Sequence, residues 1–311
     1  MNLQKQFFHL LFYIFAFLSS CGNEESNPTH GKQKLCIDES YTQLFDAQID
    51  AFESIYKYSD IEVLYKSEDE VMQDFKNDSV RVIVIGRDLT ENEKKYFNNK
   101  KSFPVSTKIA FDAVGFITHK ENQISNLTFE QLLKIFKGEI TTWNILDSSA
   151  KQKEEKNITI VFDNKKSGNV RYIKNTLLHG GLFPQNCYAV KTNPDVIDYV
   201  SQNKNALGII SVNWISDKED TLTRSFLKKV NVLGISSIKN TKEFFQPYQA
   251  YIANKQYPLC REVYIINREG RTGLGTGFVA FVAGEKGQLI ILKAGMVPAT
   301  MPVRIVNVTN N

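Results

Sequence analysis

Metal-binding and catalytic patterns are scarce in this sequence. Its 311 residues include four cysteines and four histidines, none with C-x-x-C, H-x-H or H-E-x-x-H spacing. This argues against a zinc site, and no G-x-S-x-G nucleophile elbow is present. Cys36, Cys187 and Cys260 are an odd, widely spaced set, so we expect buried thiols and leave one disulfide open. The sequence therefore predicts a protein that binds neither a metal nor a cofactor and is not an enzyme.

A strong charge of either sign is also lacking. The formal net charge is +4, with the charges scattered along the chain, which argues against a nucleic-acid partner. The composition is 42% hydrophobic and 23% charged, as in ordinary globular proteins. A chain of this length is expected to form about two domains.

Long apolar runs are missing as well. The longest, "FFHLLFYIFAFL" at residues 7–18, has 12 residues, whereas a membrane-spanning helix needs about 20. It follows Lys5 and ends in Leu18-Ser19-Ser20-Cys21, a pattern typical of a bacterial lipoprotein signal peptide. We therefore expect cleavage after residue 20, a lipid on Cys21, and a polar tether over residues 21–33.

From residue 34 the chain alternates short apolar runs with helical patterns. The strand candidates are "KLCID", "IEVLY", "VRVIVIG", "ITIVF" and "ALGIISV". Strands that are apolar almost throughout, separated by helices, favour an α/β fold with parallel sheets covered on both faces. We expect residues 34–112 plus 258–311 to form one lobe, closed by a strand at 303–308, and residues 113–257 to form a second.

Several predicted helices begin with a hydroxyl residue directly after a strand. Three of these starts match the capping box, in which the two side chains satisfy the helix end without any ligand. The pairs are Ser40 with Gln43, Ser67 with Glu70, and Thr90 with Glu93.

The helix beginning at Ser167 lacks that reciprocal cap, because its third position is Val170. Gly168 lets another group approach the backbone, and the N–H groups of Gly168, Asn169 and Val170 lie at the positive end of the helix dipole. Arg171 lies one turn further along the same face. This pattern predicts an anion site, at the carboxyl end of a strand where α/β folds bind ligands. Arg87, directly after "VRVIVIG", is a second candidate.

Three motifs resemble the phosphate-binding component of bacterial phosphate ABC transporters. They are "FDAVGFITHKENQISNLTFEQLLKIFKGEITTWNIL" at residues 111–146, "YPLCREVYIIN", and "GEKGQLIILKAGMVP". The resemblance covers nearly the whole chain after the signal peptide. It implies a type II periplasmic-binding-protein fold, with two lobes joined by a two-strand hinge and closing over one oxyanion. It also implies a monomer that serves an ABC permease and holds phosphate without metal or cofactor.

The resemblance also implies which residues bind the anion. The Ser-Gly-Thr segment of that family corresponds to Ser167, Gly168 and Asn169. Its binding positions on the first and second helices correspond to Ser40, Tyr41 and Ser67.

Two positions depart from that family. An arginine expected four residues before Ser167 is replaced by Asp163, and an aspartate expected in the strand at residues 81–86 is missing. We expect Arg87 and Arg171 to supply the lost positive charge, and Asp163 to accept the phosphate proton. A carboxylate in that role would accept a hydrogen bond from HPO₄²⁻ and repel sulfate.

Two other functions compete with transport. The glycine-rich "GRTGLGTG" at residues 270–277 follows a strand, as a dinucleotide-binding motif would, but its spacing is G-x-G-x-G rather than G-x-G-x-x-G. A lipid-anchored oxyanion sensor without a transporter is the other alternative. Either anchored protein would lie in the cell envelope, on the periplasmic face or on the outer surface of a membrane.

Overall fold

We describe the fold from a computed structural model. It describes residues 26–146, 157–216, 221–238 and 240–301. The predicted signal peptide, the lipidated Cys21 and the predicted strand at 303–308 lie outside these residues. Every helix in the described residues is too short or too polar to cross a bilayer.

Thirteen strands occur in the described residues, and most of the long ones are apolar runs recognised in the sequence. They are β1 (His30–Asp38), β2 (Tyr58–Lys66), β3 (Val82–Ile85), β4 (Val105–His119), β5 (Asn126–Leu127), β6 (Thr159–Phe162), β7 (Cys187–Ala189), β8 (Ala206–Ser211), β9 (Val230–Val232), β10 (Gly234–Ser236), β11 (Phe244–Phe245), β12 (Cys260–Asn267) and β13 (Val297–Pro298).

Ten α-helices lie between these strands in the described part of the chain. They are α1 (Thr42–Ile55), α2 (Glu68–Lys76), α3 (Glu91–Asn99), α4 (Phe129–Phe136), α5 (Gly168–Thr176), α6 (Asn193–Gln202), α7 (Thr221–Lys229), α8 (Gln249–Ala253), α9 (Leu274–Ala283) and α10 (Glu285–Lys293).

The main sheet is mixed and runs in the order β2-β1-β3-β12-β4-β8-β6-β7, with β9 and β13 also paired to β4. The long strand β4 connects its two halves. Up to Ala113 it pairs antiparallel with β12, and from Val114 it pairs antiparallel with β8. A strand that changes partners in this way carries the chain from one half of the sheet to the other.

Each half of the sheet has its own hydrophobic core. The first half packs α1, α9 and α10 on one set of buried side chains that includes Phe45 and Phe278, and α2 and α3 on another that includes Phe75 and Phe97. The second half, with α4–α7, buries another that includes Phe116, Phe136 and Ile160. We call these halves lobe 1 and lobe 2. The predicted boundaries at 112/113 and 257/258 remain predictions, and the change of partner within β4 is consistent with the first.

Two local expectations were wrong. Strand β1 begins at His30, because residues 30–33 pair with the start of β2, so the tether predicted over residues 21–33 extends too far. The predicted capping box at Ser40 is absent, because Glu39–Tyr41 form a 3₁₀ turn and α1 begins only at Thr42. The Asp38 side chain caps that turn instead, accepting a hydrogen bond from the Ser40 N–H. The capping boxes at Ser67 and Thr90 are both formed.

Candidate functional site

Helix α5 begins at the segment that the sequence singled out. Ser167 is its N-cap, and the Ser167 Oγ accepts a hydrogen bond from the Val170 N–H at 3.2 Å. Gly168 and Asn169 occupy the first two helical positions and are buried. The first N–H groups of a helix have no acceptor within it and carry the positive end of its dipole. This helix start therefore offers donors suited to an anion.

Asp163 lies behind the helix start and is fully buried. It accepts hydrogen bonds from Ser167 Oγ at 2.6 Å, Asn169 Nδ2 at 2.9 Å and Asn193 Nδ2 at 3.2 Å. Burial raises the pKa of this carboxyl, although the hydrogen bond from Ser167 opposes the shift. Both carboxylate oxygens are thus engaged by lobe 2 itself, where we expected a group turned toward the anion.

The carboxyl end of β1 faces the helix start from lobe 1. A Cβ added to Gly168 would lie 2.6 Å from Asp38 Oδ2 and 2.7 Å from Glu68 Oε2. Asp38 Oδ1 accepts the Ser40 N–H at 3.0 Å. Asp38 Oδ2 and Ser40 Oγ are buried and have no hydrogen-bond partner among the described residues. Only glycine at position 168 allows this close approach.

Two carboxyl groups at this end of β1 resist ionisation. Burial, followed by the neighbouring charge of Glu68, raises the pKa of Asp38 to about 7, although Arg261 opposes the shift. Burial and the nearby charge of Asp163 raise the pKa of Glu39 to about 8. Near neutral pH each group is therefore present in both its protonated and its ionised form.

Glu68 lies between the two arginines proposed from the sequence. Arg171 donates to it through Nε and, at 3.0 Å, through Nη2, and Arg87 donates through Nε at 3.0 Å. Arg87 also forms two hydrogen bonds to Glu93, at 2.7 and 3.0 Å. Burial alone would raise the pKa of Glu68, but these ion pairs hold it below its usual value. The two arginines neutralise a carboxylate of the protein, where we expected free cations.

Arg261, the second residue of β12, brings a further positive charge to the same place. Its side chain is 2% exposed. Nε donates to Asp112 Oδ2 at 2.8 Å, and Nη2 lies 2.8 Å from the same oxygen as part of the ion pair. Asp112 Oδ2 also accepts hydrogen bonds from Ser211 Oγ at 3.0 Å and Tyr41 Oη at 3.3 Å. Arg261 Nη1 has no hydrogen-bond partner among the described residues and lies 3.4 Å from the position that a Cβ of Gly168 would take. One face of this guanidinium is fixed, and the other points toward the helix start.

We call this group of residues the cleft site. It comprises Asp38, Ser40, Glu68, Ser167, Gly168, Asn169 and Arg261. Of the other predicted residues, Arg87 and Arg171 reach it through Glu68. Ser67 Oγ donates to Glu70 at 2.6 Å in its own capping box, and the Tyr41 hydroxyl is directed to Asp112.

The two lobes are closed over the cleft site. The Asp69 N–H donates to the Lys166 carbonyl at 3.3 Å, and Trp214 Nε1 donates to the Ser40 carbonyl at 3.1 Å. Asp38, Ser40 and Asn169 are each 0% exposed. A ligand can reach these groups only when the lobes separate.

The glycine-rich segment at residues 270–277 forms no comparable site. The Glu269 carboxylate accepts the N–H groups of Gly275 at 3.1 Å and Thr276 at 2.6 Å at the start of α9. A nucleotide phosphate would need those same donors. The alternative of an enzyme that uses a nucleotide here therefore has no support from the geometry.

The cysteines and acidic clusters give no metal centre in the part of the chain described. Cys36, Cys187 and Cys260 are free, and burial raises the pKa of each thiol to about 12. No group of three or more metal-ligating side chains occurs among the described residues.

Sequence reasoning missed Asp38 and Arg261 as site residues. Both had a visible signal, since each is a charged residue beside the apolar residues of a strand, in "KLCID" and "CREVYIIN". Such a residue is buried only when it is paired or serves a function.

Comparison with known proteins places these features in context. Residues 23–286 match the family described as a PBP superfamily domain. A phosphate-binding protein PstS from Borreliella burgdorferi is 27% identical over 227 residues, covering 70% of this chain and 72% of the relative. A PstS from Pseudomonas aeruginosa is 25% identical over 234 residues, covering 71% and 68% respectively.

Solved structures share the fold. A transporter substrate-binding protein with bound phosphate from Clostridium perfringens superposes with a TM-score of 0.72 at 20% identity, covering 87% of this chain and 100% of that one. An ABC-type phosphate transport receptor from Vibrio cholerae gives 0.64 at 20% identity, covering 86% and 100%. At these identities the likeness concerns the fold alone.

Proposed function

The chain belongs to the PBP superfamily and has its two-lobed type II fold, and we propose from this premise that it captures inorganic phosphate for an ABC transporter. Relatives named for phosphate binding align over more than two thirds of the chain. Both neighbouring structures described above carry phosphate in their names, one with the anion bound.

One observation on this chain carries the proposal. Arg261 Nη1, a buried donor without a partner among the described residues, lies beside the first turn of α5 in a closed interlobe cleft. Ser40 Oγ, also buried and without a partner among those residues, lies two residues after Asp38 in the turn that follows β1. Buried donors of this kind are costly unless an acceptor reaches them. An oxyanion supplies several acceptor oxygens at once, and the helix start favours its negative charge.

Each part of the cleft site then has a role. Ser167, Gly168 and Asn169 present the helix start, and Arg261 supplies a cation held by Asp112. Arg87 and Arg171 contribute indirectly, because they neutralise Glu68, which would otherwise repel the anion. We expect phosphate to bind with a Kd near micromolar, which corresponds to a binding free energy of about −8 kcal/mol.

The wider setting is part of the same proposal. A lipid on Cys21 would hold a monomer at the cell envelope, where lobe closure presents the loaded form to a permease. The alternative, a lipid-anchored sensor, differs only in that it has no permease as a partner. Loss of phosphate uptake on deletion of the gene would support transport, and normal uptake would favour the sensor.

Phosphate-dependent stabilisation tests the binding function directly. At about 100 times Kd, phosphate should raise the unfolding free energy by about 2.7 kcal/mol, measured as a shift in melting temperature. NAD serves as the control for the glycine-rich segment. A shift with NAD and none with phosphate would overturn the proposal.

A further inference from the structure

One end of lobe 1 lies opposite the cleft site and carries the start of the described chain. Strands β1 and β2 begin there, where His30 pairs with Tyr58. Val82 of β3 and Val105 of β4, near the starts of their strands, both pair with Asn267 at the end of β12. Because β1 ends in the cleft site, its start marks the opposite end of the lobe. We call this end the tether end; it comprises residues 26–30, 55–58, 77–81, 100–105 and 268–273.

The first described residues are fixed at the tether end. Ser26 Oγ accepts the Leu274 N–H at 3.2 Å, at the start of α9. Pro28 packs on the same helix so closely that a Cβ on Gly277 would lie 1.8 Å from the Pro28 carbonyl oxygen. Cys21 precedes Ser26 by five residues, a length of chain that spans at most about 18 Å. A lipid on Cys21 would therefore hold the tether end close to the bilayer surface.

Large apolar side chains are exposed at the tether end. Tyr58 is 76% exposed and Phe103 is 72% exposed. Val105 and Ile55 are exposed as well. Several exposed apolar residues on one end of a protein are typical of a contact surface. Aromatic rings in particular favour the bilayer interface, where they lie among the lipid headgroups.

The exposed charges of the tether end are mainly positive. Asp78 is the one exposed carboxylate in the five segments that form this end, and it pairs with Arg268 at 2.8 Å. Glu24 and Glu25, between Cys21 and Ser26, offset part of the positive excess. Clusters of lysine and arginine near a membrane are attracted to anionic lipid headgroups. The exposed cations of this end are Lys57, Arg81, Lys100, Lys101 and Arg271.

We propose that the tether end is a membrane-contact surface, which binds the anionic headgroups of the bilayer that anchors Cys21. The proposal rests on the lipid anchor of the proposed function and is independent of the anion in the cleft. The rings of Phe103 and Tyr58 enter the headgroup region, and Lys100 and Lys101, which precede Phe103 in the same loop, pair with lipid phosphates. This contact directs the cleft site away from the bilayer, because the cleft lies at the other end of lobe 1.

Fluorescence quenching on the lipidated mature protein tests the proposal. Phe103→Trp places a reporter at the tether end, and the natural Trp143 and Trp214 are buried in lobe 2. In phosphatidylcholine vesicles with about 30% phosphatidylglycerol, we expect a lipid-linked quencher to act on this reporter at least about twofold more strongly than in phosphatidylcholine alone. Tyr188→Trp, at an exposed aromatic position of lobe 2, is the matched control and should be quenched weakly in both.

The role of the lysines is tested in the Phe103→Trp protein. Lys100→Gln with Lys101→Gln should weaken the contact about tenfold or more, and added salt should weaken it as well. Lys228→Gln with Lys229→Gln, two adjacent exposed lysines of lobe 2, is the matched control and should leave the contact unchanged.

Four results would overturn the membrane contact. They are equal quenching of the two reporters, quenching that does not depend on lipid charge, mass spectrometry that finds no lipid on Cys21, and a dimer in solution that protects the Phe103→Trp reporter from the quencher. The last result would assign the surface to a second copy of the chain. None of them affects phosphate binding, which the shift in melting temperature measures separately and which also shows that each variant is folded.

Discussion

A single buried arginine shows how the fold prepares a charge for a ligand. Arg261 stands on β12, and its partner Asp112 stands opposite it on β4, where the two residues pair directly across the strands. Ser211 and Tyr41 donate to the same Asp112 oxygen. Removing one partner of a buried pair costs about 3–5 kcal/mol, so this pair holds the guanidinium firmly.

Arg261→Lys tests whether phosphate binding needs the shape of the guanidinium or only its positive charge. A lysine ammonium can still pair with Asp112, but it cannot also present the second arm of a guanidinium toward the helix start. We expect phosphate affinity to fall by about 10–100-fold, the loss of one charge-assisted hydrogen bond, measured by calorimetry. The control is Arg268→Lys, an arginine away from the cleft whose side chain is 8% exposed and pairs with one aspartate, Asp78 at 2.8 Å. Equal losses in both variants would contradict a specific role for Arg261.

At the scale of the element, the start of helix α5 can pack against lobe 1 because Gly168 has no side chain. The Gly168 position lies so close to Asp38 and Glu68 that a Cβ would approach within 2.6 and 2.7 Å of their oxygens. Glu68 is fixed by its arginines and Asp38 by the Ser40 N–H, so neither can give way easily. A residue with a Cβ at position 168 would therefore push the two lobes apart.

Gly168→Ala should weaken closure of the lobes more than it weakens the fold within either lobe. Alanine in place of glycine favours a helix by about 0.5–1 kcal/mol, which offsets part of the strain in the closed ligand-free protein. Phosphate affinity should fall about tenfold or more, since the closed form is strained. Gly270→Ala is the control, because a Cβ there meets nothing within 4 Å. Wild-type affinity in Gly168→Ala would show that the lobes adapt without cost.

Sequence reasoning was strongest where a signal is local. The β-α alternation and the helix start at Ser167 were predicted, because apolar periodicity and N-cap chemistry act over a few residues. The start of β1 at His30 was missed, because residues 30–33 are a polar stretch whose strand is fixed by pairing with residues 58–61. Residues 241–254, "TKEFFQPYQAYIAN", have a helix-like pattern in the sequence, but only Gln249–Ala253 is helical.

The cleft site was predictable only in part, for a related reason. Ser167, Gly168 and Asn169 form one continuous segment, so their shared role can be recognised in the sequence. Asp38 and Arg261 meet that segment only because β1 and β12 lie in the same sheet and the lobes close. The sequence also predicted Arg87 and Arg171 as free cations, because it does not show that Glu68 lies between them.

At the scale of the whole molecule, closing the lobes takes ionisable groups partly or fully out of water. Strand β4 runs through both halves of the sheet, and its Val114 N–H donates to the Leu259 carbonyl at 3.0 Å. Asp38 is fully buried at the contact between the lobes, and Glu39 is half-buried beside it. Closure therefore bears the electrostatic cost of burying Asp38 and Glu39, and the pH of the medium sets that cost.

This cost predicts an unusual pH dependence of stability for the ligand-free protein. The pKa values of Asp38 and Glu39 are raised to about 7 and 8, so the folded state holds protons that the unfolded chain releases above about pH 4. A raised pKa contributes stability that is lost as pH rises through the folded value. We expect the melting temperature to fall from pH 5 to pH 8. Glu93, whose pKa is lowered to about 2 by Arg87 and Thr90 despite its burial, acts only below about pH 4.

The double variant Asp38→Asn, Glu39→Gln tests whether these two residues cause the fall in melting temperature with pH. Amides do not titrate, so its melting temperature should be nearly constant from pH 5 to pH 8 in phosphate-free buffer, whereas wild type declines. Asp46→Asn with Glu53→Gln, two carboxylates of α1, forms the control and should keep the wild-type slope. A wild-type melting temperature that rises over this range would mean that closure leaves Asp38 and Glu39 in contact with water.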